Sequence, residues 1–498
     1  MIIDALIQAL QNFASVDLWL YMGVGIAIGL VFGIIPGLTG MMAVAMLLPF
    51  VFVMKSEQAL PLMLGLLAVQ FQGGLITAIL LNVPGTPPNA ATMLDGFPMA
   101  RRGEAGRAMG AGLTASAAGS IFAAVLTLAM IPLVIPLVMV LRTADMVFMI
   151  LLGIAFVGVL SAGSMIKGLI SGGVGLLISF IGYHATTAVQ RFTFGSVYLY
   201  GGIPLLPLIL GLFAVPEMMV IAREGGAIAK TEIAVKGMAD VWRGVKDVVH
   251  HWKLCLRSVV IGFIAGVIPG LGPTPAAFIA YGQAKQTSKH PETFGAGNVE
   301  GVIAPETANN AVEAGALLTT LALGVPGSAS MVLIMGAMVM LGLIPGPEMI
   351  TKHLGLSLTL VYVILVAGAI GTAVCLPICP YLAKVAVIPS RILAPLVYVV
   401  VAVGVYAYSE QMADLIVTLI FAAVGLIMRR FGYNKPALLL GFILGGLFEK
   451  NFFIALSVGG PLFFLRAPSL IIIFVIIAVL VFEPIKNLFQ RRKGVQRS

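Results

Sequence analysis

The chain has 498 residues, 60% of them hydrophobic and 10% charged, with a mean hydropathy of +1.08 and a formal net charge of +9. A water-solvated protein carries about a quarter charged residues, so the composition argues against a soluble enzyme and for a polytopic helical membrane protein. Continuous apolar runs such as Leu470–Phe482 (LIIIFVIIAVLVF) exclude an outer-membrane barrel, whose strands alternate apolar and polar residues.

In chain order, the N-terminus (MIIDALIQALQNF) has no basic n-region and no Ala-x-Ala site, so no cleaved signal peptide is expected. Apolar spans follow at about 18–35, 40–54, 59–81, 109–141, 144–163, 164–184 and 197–222. A second series falls at about 258–280, 314–344, 354–383, 391–408, 413–428, 436–456 and 468–486, and eleven to thirteen crossings are expected. Residues 109–141 are too long for one straight span, and Pro132 and Pro136 predict a break there. The organisation expected is a first transmembrane repeat (1–229), an amphipathic linker (230–257), a second repeat (258–466), and a C-terminal helix with a basic tail (467–498).

In the linker, Met238, Val241, Trp242, Val245, Val248, Val249 and Trp252 recur at helical spacing, with Lys236, Asp240, Arg243, Lys246, Asp247 and His250 on the other face. Such a helix lies on the inner membrane surface with its tryptophans at headgroup level, or packs on another subunit. Basic residues cluster at Arg101–Arg107, Arg223–Arg257, Arg429–Lys435 and Arg491–Arg497, the positive-inside pattern of cytoplasmic segments. No aromatic interleaving points to nucleic acid.

The two series share motifs. Gly29-Leu-Val-Phe-Gly33-Ile-Ile-Pro36-Gly37-Leu38 matches Gly262-Phe-Ile-Ala-Gly266-Val-Ile-Pro269-Gly270-Leu271 at an offset of 233, and Leu81-Asn82-Val83-Pro84-Gly85-Thr86 matches Leu323-Gly324-Val325-Pro326-Gly327-Ser328 at 242. A Pro-Gly pair at membrane depth frees backbone groups, tolerated only where the chain is buried in protein or lines a watery cavity. Matched breaks in two halves are the sign of discontinuous helices around a central site, where helix N-termini meet an anion and freed carbonyls meet a cation. The loop after Pro84 is basic, whereas Gly346–His353 after Pro326 carries only Lys352, which points to inverted repeats.

Candidate substrate-binding residues are therefore Pro36, Gly37, Thr39, Asn82, Pro84, Gly85, Thr86, Pro269, Gly270, Pro326, Gly327 and Ser328. Gln70, Gln72, Thr77, Thr274 and Ser330 add neutral polarity nearby. Asp95, Lys167, Glu217, Glu306 and Glu313 are the charges within or beside the spans. Glu306, with Asn309 and Asn310, could serve a coupling ion as cation ligand or proton carrier, or Glu306 could cap a helix. Lys167 and Glu217 read as snorkelling or interface pairs. There is no G-x-x-x-x-G-K-[ST] loop, no metal spacing among the histidines, no G-x-S-x-G elbow, and no disulfide framework in Cys255, Cys375 and Cys379. No enzyme activity and no cofactor are expected.

At Gly33–Thr39, Gly74–Pro87, Leu94-Asp-Gly-Phe-Pro98, Gly301–Ala311 and Leu321–Ser328 the chain resembles the large membrane subunit of the tripartite tricarboxylate transporters, over about residues 15–480. The resemblance implies a multi-pass permease of the bacterial inner membrane, with linker and tail cytoplasmic. It implies work with a small membrane subunit and a periplasmic solute-binding protein, importing citrate-like tricarboxylates or other organic carboxylates on a Na+ or H+ gradient. The alternative is a channel-like organic-anion pore without gradient coupling.

Overall fold

In hydrocarbon an unpaired backbone amide or carbonyl finds no water, so an apolar chain must satisfy its own backbone within helices. The computed structural model describes residues 2–35, 38–159, 164–184, 189–224, 237–382 and 390–495, and they are overwhelmingly helical. The first helices are α1 (Ile2–Ala14), α2 (Val16–Ile34), α3 (Gly40–Val51), α4 (Ser56–Leu81), α5 (Asn89–Arg101), α6 (Ala105–Val140), α7 (Thr143–Val159) and α8 (Met165–Ser179). A two-stranded hairpin, β1 (Gly182–Tyr183) and β2 (Gln190–Arg191), comes next. Then follow α9 (Leu205–Ile209), α10 (Val215–Glu224), α11 (Met238–His250), α12 (Trp252–Val267), α13 (Pro273–Thr287), α14 (Glu300–Leu323) and α15 (Ala329–Met340). The last are α16 (Pro347–Thr351), α17 (Leu354–Leu382), α18 (Ser390–Ser409), α19 (Met412–Phe431), α20 (Lys435–Gly459) and α21 (Ala467–Val495). The chain is thus an all-α polytopic membrane protein.

Among the described residues six helices are long and apolar enough to cross a bilayer, or seven if α11 and α12, bent by 74°, form one span. Other apolar helices, among them α3, α8 and α15, are only 12–15 residues long. The reading of eleven to thirteen crossings counted these as spans; chain breaks cut several of them below the roughly 20 residues a crossing needs. The break expected at Pro132 and Pro136 is absent: α6 is one helix of 36 residues, about 54 Å at 1.5 Å per residue. Both prolines lie in its last third, where Leu133, Leu137 and Met139 are exposed while Ile131, Ile135 and Val138 pack inward, so the helix is held by one face through the proline positions.

Helices α4 and α14 form the centre, with nearly every residue buried. Glycines let their neighbours approach to backbone contact. A β-carbon at Gly29 or Gly33 of α2 would collide with the carbonyls of Leu66 and Gln70 of α4, and one at Gly262 or Gly266 of α12 with those of Ala308 and Val312 of α14. These pairs repeat the sequence offsets of 233 and 242. The directions differ, however. Asn89 donates to the Phe71 carbonyl and Gly96 faces Ile79, so α5 runs with α4. Asn89 and Thr92 reach Glu306 while Gly96 faces Val302, so α5 runs against α14. Helices α4 and α14 are therefore antiparallel.

Asp95, a possible functional charge by sequence, is a structural clamp. Its Oδ1 accepts the amides of Gly295, Gly297 and Asn298 at 2.8–2.9 Å, and its Oδ2 accepts the Tyr281 hydroxyl at 2.8 Å. The carboxylate thus pins the loop between α13 and α14 onto α5. Asp95→Ala should orphan four donors at about 1–3 kcal/mol each where buried, lowering the melting temperature in detergent and opening Lys285 and Lys289 to trypsin. Asp95→Asn keeps an acceptor and should lose less; equal melting of Asp95→Ala and the native chain would contradict this role.

The linker helix α11 is amphipathic as expected, but its buried face, Val241, Gly244 and Val248, packs on α6 of the same chain. Asp240 and Asp247 are not on a free polar face: Asp240 accepts the Arg107 amide (3.0 Å) and Asp247 holds the Arg107 guanidinium (2.6 Å). Trp242, Val249 and Trp252 remain exposed, an apolar strip suited to the membrane interface. Residues 230–236 of the linker lie outside the described residues.

Candidate functional site

A cavity of about 560 Å³ receives a residue from each of the four chain breaks: Thr39, Thr86, Thr274 and Ser328. Pro36 and Gly37 lie outside the described residues. The backbone at the other breaks explains the convergence. Helix α4 ends on Asn82 in the left-handed conformation (φ 55°), and α14 ends on Gly324 in the same one (φ 68°). The chain then folds back on its own helix, the Gly85 amide reaching the Gly74 carbonyl at 3.2 Å. The Gly270 amide donates to the Gly327 carbonyl at 3.2 Å, tying the second break to the fourth.

What the breaks contribute to the cavity wall is hydroxyls and not the Pro-Gly pairs themselves, set among apolar side chains such as Met41, Phe71 and Phe213. Thr39 caps α3 by accepting the Met42 amide (3.3 Å), and Ser328 caps α15 by accepting the Met331 amide (3.4 Å). Each oxygen accepts, so each O–H remains available to a carboxylate. Pro84, Gly85, Pro269, Gly270, Pro326 and Gly327 sit behind this wall, and Asn82 is exposed away from it. A β-carbon at Gly85 would collide with the Gly33 carbonyl, and one at Gly327 with the Gly266 carbonyl. Gly327→Ala and Gly85→Ala should therefore each prevent close packing and cut folded yield severalfold, by an overpacking cost of about 1–3 kcal/mol or more. Monodisperse yield in detergent checks this, and native yields from both variants would refute it.

Two cations at this cavity do not stand among the sequence candidates, whereas Glu217 does. Arg429, at the end of α19, and Lys435, at the first position of α20, line the cavity with Glu217, whose carboxylate pairs with Arg429 at 3.2 Å. By sequence these two cations belong to a cytoplasmic basic cluster. A signal was present: Asn434-Lys435-Pro436 reads as a helix start, and a cation at the first position of a helix opposes the macrodipole unless an anion is shared there. The N-termini of α3, α5, α13, α15 and α20 all reach this cavity. Gln70 also lines it; its Oε1 accepts the Gly40 amide (3.0 Å), while its buried Nε2 donates to nothing among the described residues. Hydroxyls, an orphan amide donor, helix N-termini and two cations together form an environment for a small anion with more than one carboxylate.

The coupling-ion candidates lie behind this wall. Glu306 is fully buried and accepts from Asn89 (2.9 Å), Thr92 (2.5 Å), Ser116 (3.1 Å) and Asn309 (3.2 Å). It is therefore not a helix-start cap. Asn89 also accepts the Thr86 hydroxyl, so a continuous hydrogen-bond chain joins cavity to carboxylate: Thr86, Asn89, Glu306. Asn310 donates to the Ala68 carbonyl (3.1 Å) and Ser120 (3.2 Å). The side-chain oxygens of Asn309 and Asn310, and both of Glu313, have no hydrogen-bond partner among the described residues. No cluster of three His, Cys, Asp or Glu side chains exists among the described residues. Lys167 donates to the Phe431 carbonyl (2.7 Å) at the helix end beside the cavity.

The sequence matches the Tripartite tricarboxylate transporter TctA family over residues 19–440. It is 33% identical over 432 residues to an uncharacterized 52.8 kDa protein in the TAR-I ttuC' 3' region of Agrobacterium vitis, covering 86% of this chain and 85% of that one. It is 34% identical over 190 residues to an uncharacterized protein in the TAR-II ttuC' 3' region of the same organism, covering 38% of this chain and 78% of the relative. No solved structure matches. On a family match across most of its length, the chain belongs to the tripartite tricarboxylate transporter TctA family.

Proposed function

We propose that this chain is the large permease subunit of a binding-protein-dependent secondary transporter that imports citrate-like tricarboxylates or other organic carboxylates on a Na+ or H+ gradient. The observation that carries the reading is the meeting of all four breaks in one cavity with Arg429 and Lys435. Substrate carboxylates lie against Thr39, Thr86 and Ser328, while Glu306, Asn309 and Asn310 serve the coupling ion through Asn89. The two halves act as inverted repeats: equivalent glycine contacts join α2 to α4 and α12 to α14, and α4 and α14 run in opposite directions. Inversion gives each membrane face one copy of the same hinge, which suits rocking of one part against the other about a central site. The end bearing Arg101, Arg107 and Arg243 faces the cytoplasm of a bacterial inner membrane. A small membrane subunit and a periplasmic solute-binding protein complete the system.

The test is uptake by proteoliposomes containing this chain, its small subunit and its binding protein, across a panel of di- and tricarboxylates. Uptake should need the binding protein and rise with an imposed Na+ or H+ gradient. Flux indifferent to either gradient would instead favour an anion pore.

A further inference from the structure

A second cavity, of about 240 Å³, lies on the reverse side of the turn that joins α14 to α15. Gly324 lines it and Ser328 lines the central cavity, so the short turn between them is the wall the two share. Helix α20 runs from one to the other: Lys435 faces the central cavity, and Lys450 and Asn451 face the second, roughly 22 Å further along at 1.5 Å per residue. Arg142 completes the wall from the start of α7. Because α6 runs from Arg107 at the basic end to Val140, Arg142 stands at the opposite end of the molecule, the extracytoplasmic one by the positive-inside rule.

The electrostatics of this cavity are one-sided. Asp145, the acid nearest Arg142 in sequence, accepts the Arg142 amide but is held by Arg466 (2.6 Å) and Ser469 (2.5 Å). Glu348, also in the wall, is paired with Lys352 at 2.9 Å. Each acid is thus already matched by another partner. The Arg142 guanidinium and the Lys450 ammonium have no acidic partner among the described residues and share one concave wall with Asn451.

We propose that this cavity is a second anion site, an outer vestibule in which Arg142 and Lys450 hold a small organic carboxylate on the far side of the Gly324–Ser328 turn from the central cavity. The proposal rests on the central cavity being the substrate site. Two cations in a concave, partly apolar wall raise the local concentration of a carboxylate and repel cations. The occupant would be the same solute, caught where a delivering protein on that face would release it.

The vestibule is tested by thiol labelling, since Cys255, Cys375 and Cys379 are buried. In the complete reconstituted complex, Asn451→Cys is labelled with an anionic and with a cationic methanethiosulfonate. Adding Arg142→Gln and Lys450→Gln should lower the anionic-to-cationic rate ratio by about fivefold or more, as expected for two nearby charges. Citrate or a dicarboxylate that supports uptake should slow the labelling of Asn451→Cys. Thr143→Cys, also in the lining, replaces that variant if Asn451→Cys does not fold. A ratio that does not move, or labelling unaffected by every transported carboxylate, overturns the proposal. Failure of the central-site reading looks different: Arg429→Gln would then transport normally while the labelling pattern persists.

Discussion

Arg429→Gln is expected to raise the KM for carboxylate uptake by 30-fold or more, with insertion and melting temperature close to native. Truncating one partner of a hydrogen-bonded charge pair costs about 2–5 kcal/mol when the pair is desolvated. Arg429 is 43% exposed, so the lower end, about 2 kcal/mol, applies. Lys435→Gln should act in the same direction, since Lys435 lines the same cavity at the start of α20. Glu217→Gln is the discriminating control. Glu217 competes with substrate for Arg429, so removing its charge should leave KM unchanged or lower it. If Arg429→Gln and Glu217→Gln both impair uptake equally, the ion pair is a structural strut and Arg429 does not bind substrate. Kinetics in proteoliposomes, with binding protein in excess, separate these outcomes.

What could be read from the sequence follows what each residue type does to a backbone. Pro-Gly pairs were legible because a helix interrupted in oil must find partners, and four interruptions in matched pairs find them most readily in one place; Thr39, Thr86, Thr274 and Ser328 do line one cavity. Asn82, read from the sequence as a binding side chain, is exposed and does not line the cavity. Its counterpart is Gly324, and an Asn–Gly exchange between equivalent positions marks a left-handed helix terminus, the conformation both adopt. Arg429 and Lys435 were hidden by a rule that works elsewhere: basic residues between two spans read as a solvated cytoplasmic loop, and only the fold shows that this loop bends inward. The reach of α11 onto α6 was hidden similarly, since amphipathic spacing reveals an apolar face but not what covers it. Nothing local distinguished Glu306, a buried carboxylate with four donors, from Asp95, a buried carboxylate with four donors; only the first has a hydrogen-bond path to the cavity.

That path underlies the second large effect. Glu306→Gln is expected to retain substrate binding yet lose gradient-driven accumulation, so that exchange of labelled for unlabelled substrate survives while net uptake falls at least tenfold. As a carboxylate, Glu306 accepts from Asn89, Thr92, Ser116 and Asn309, and these hydrogen bonds fix the Asn89 amide so that its oxygen takes the Thr86 hydroxyl. If a proton or cation arrives at this carboxylate, at least one donor must turn away, and the disturbance reaches Thr86 through a single residue. An amide at position 306 can neither gain nor lose charge, which freezes the chain in one arrangement and removes the ion's leverage over the cavity. Glu306→Leu should behave differently: it strands four donors in a dry core at about 1–3 kcal/mol each and is expected to lower folded yield before transport can be assayed. Asn89→Asp provides the reciprocal test, placing a second carboxyl against the first and so disrupting coupling from the cavity side. Undiminished accumulation by Glu306→Gln under the same imposed gradient would move the coupling ion elsewhere, to the carboxyl of Glu313 or the side-chain oxygens of Asn309 and Asn310, which have no partner among the described residues.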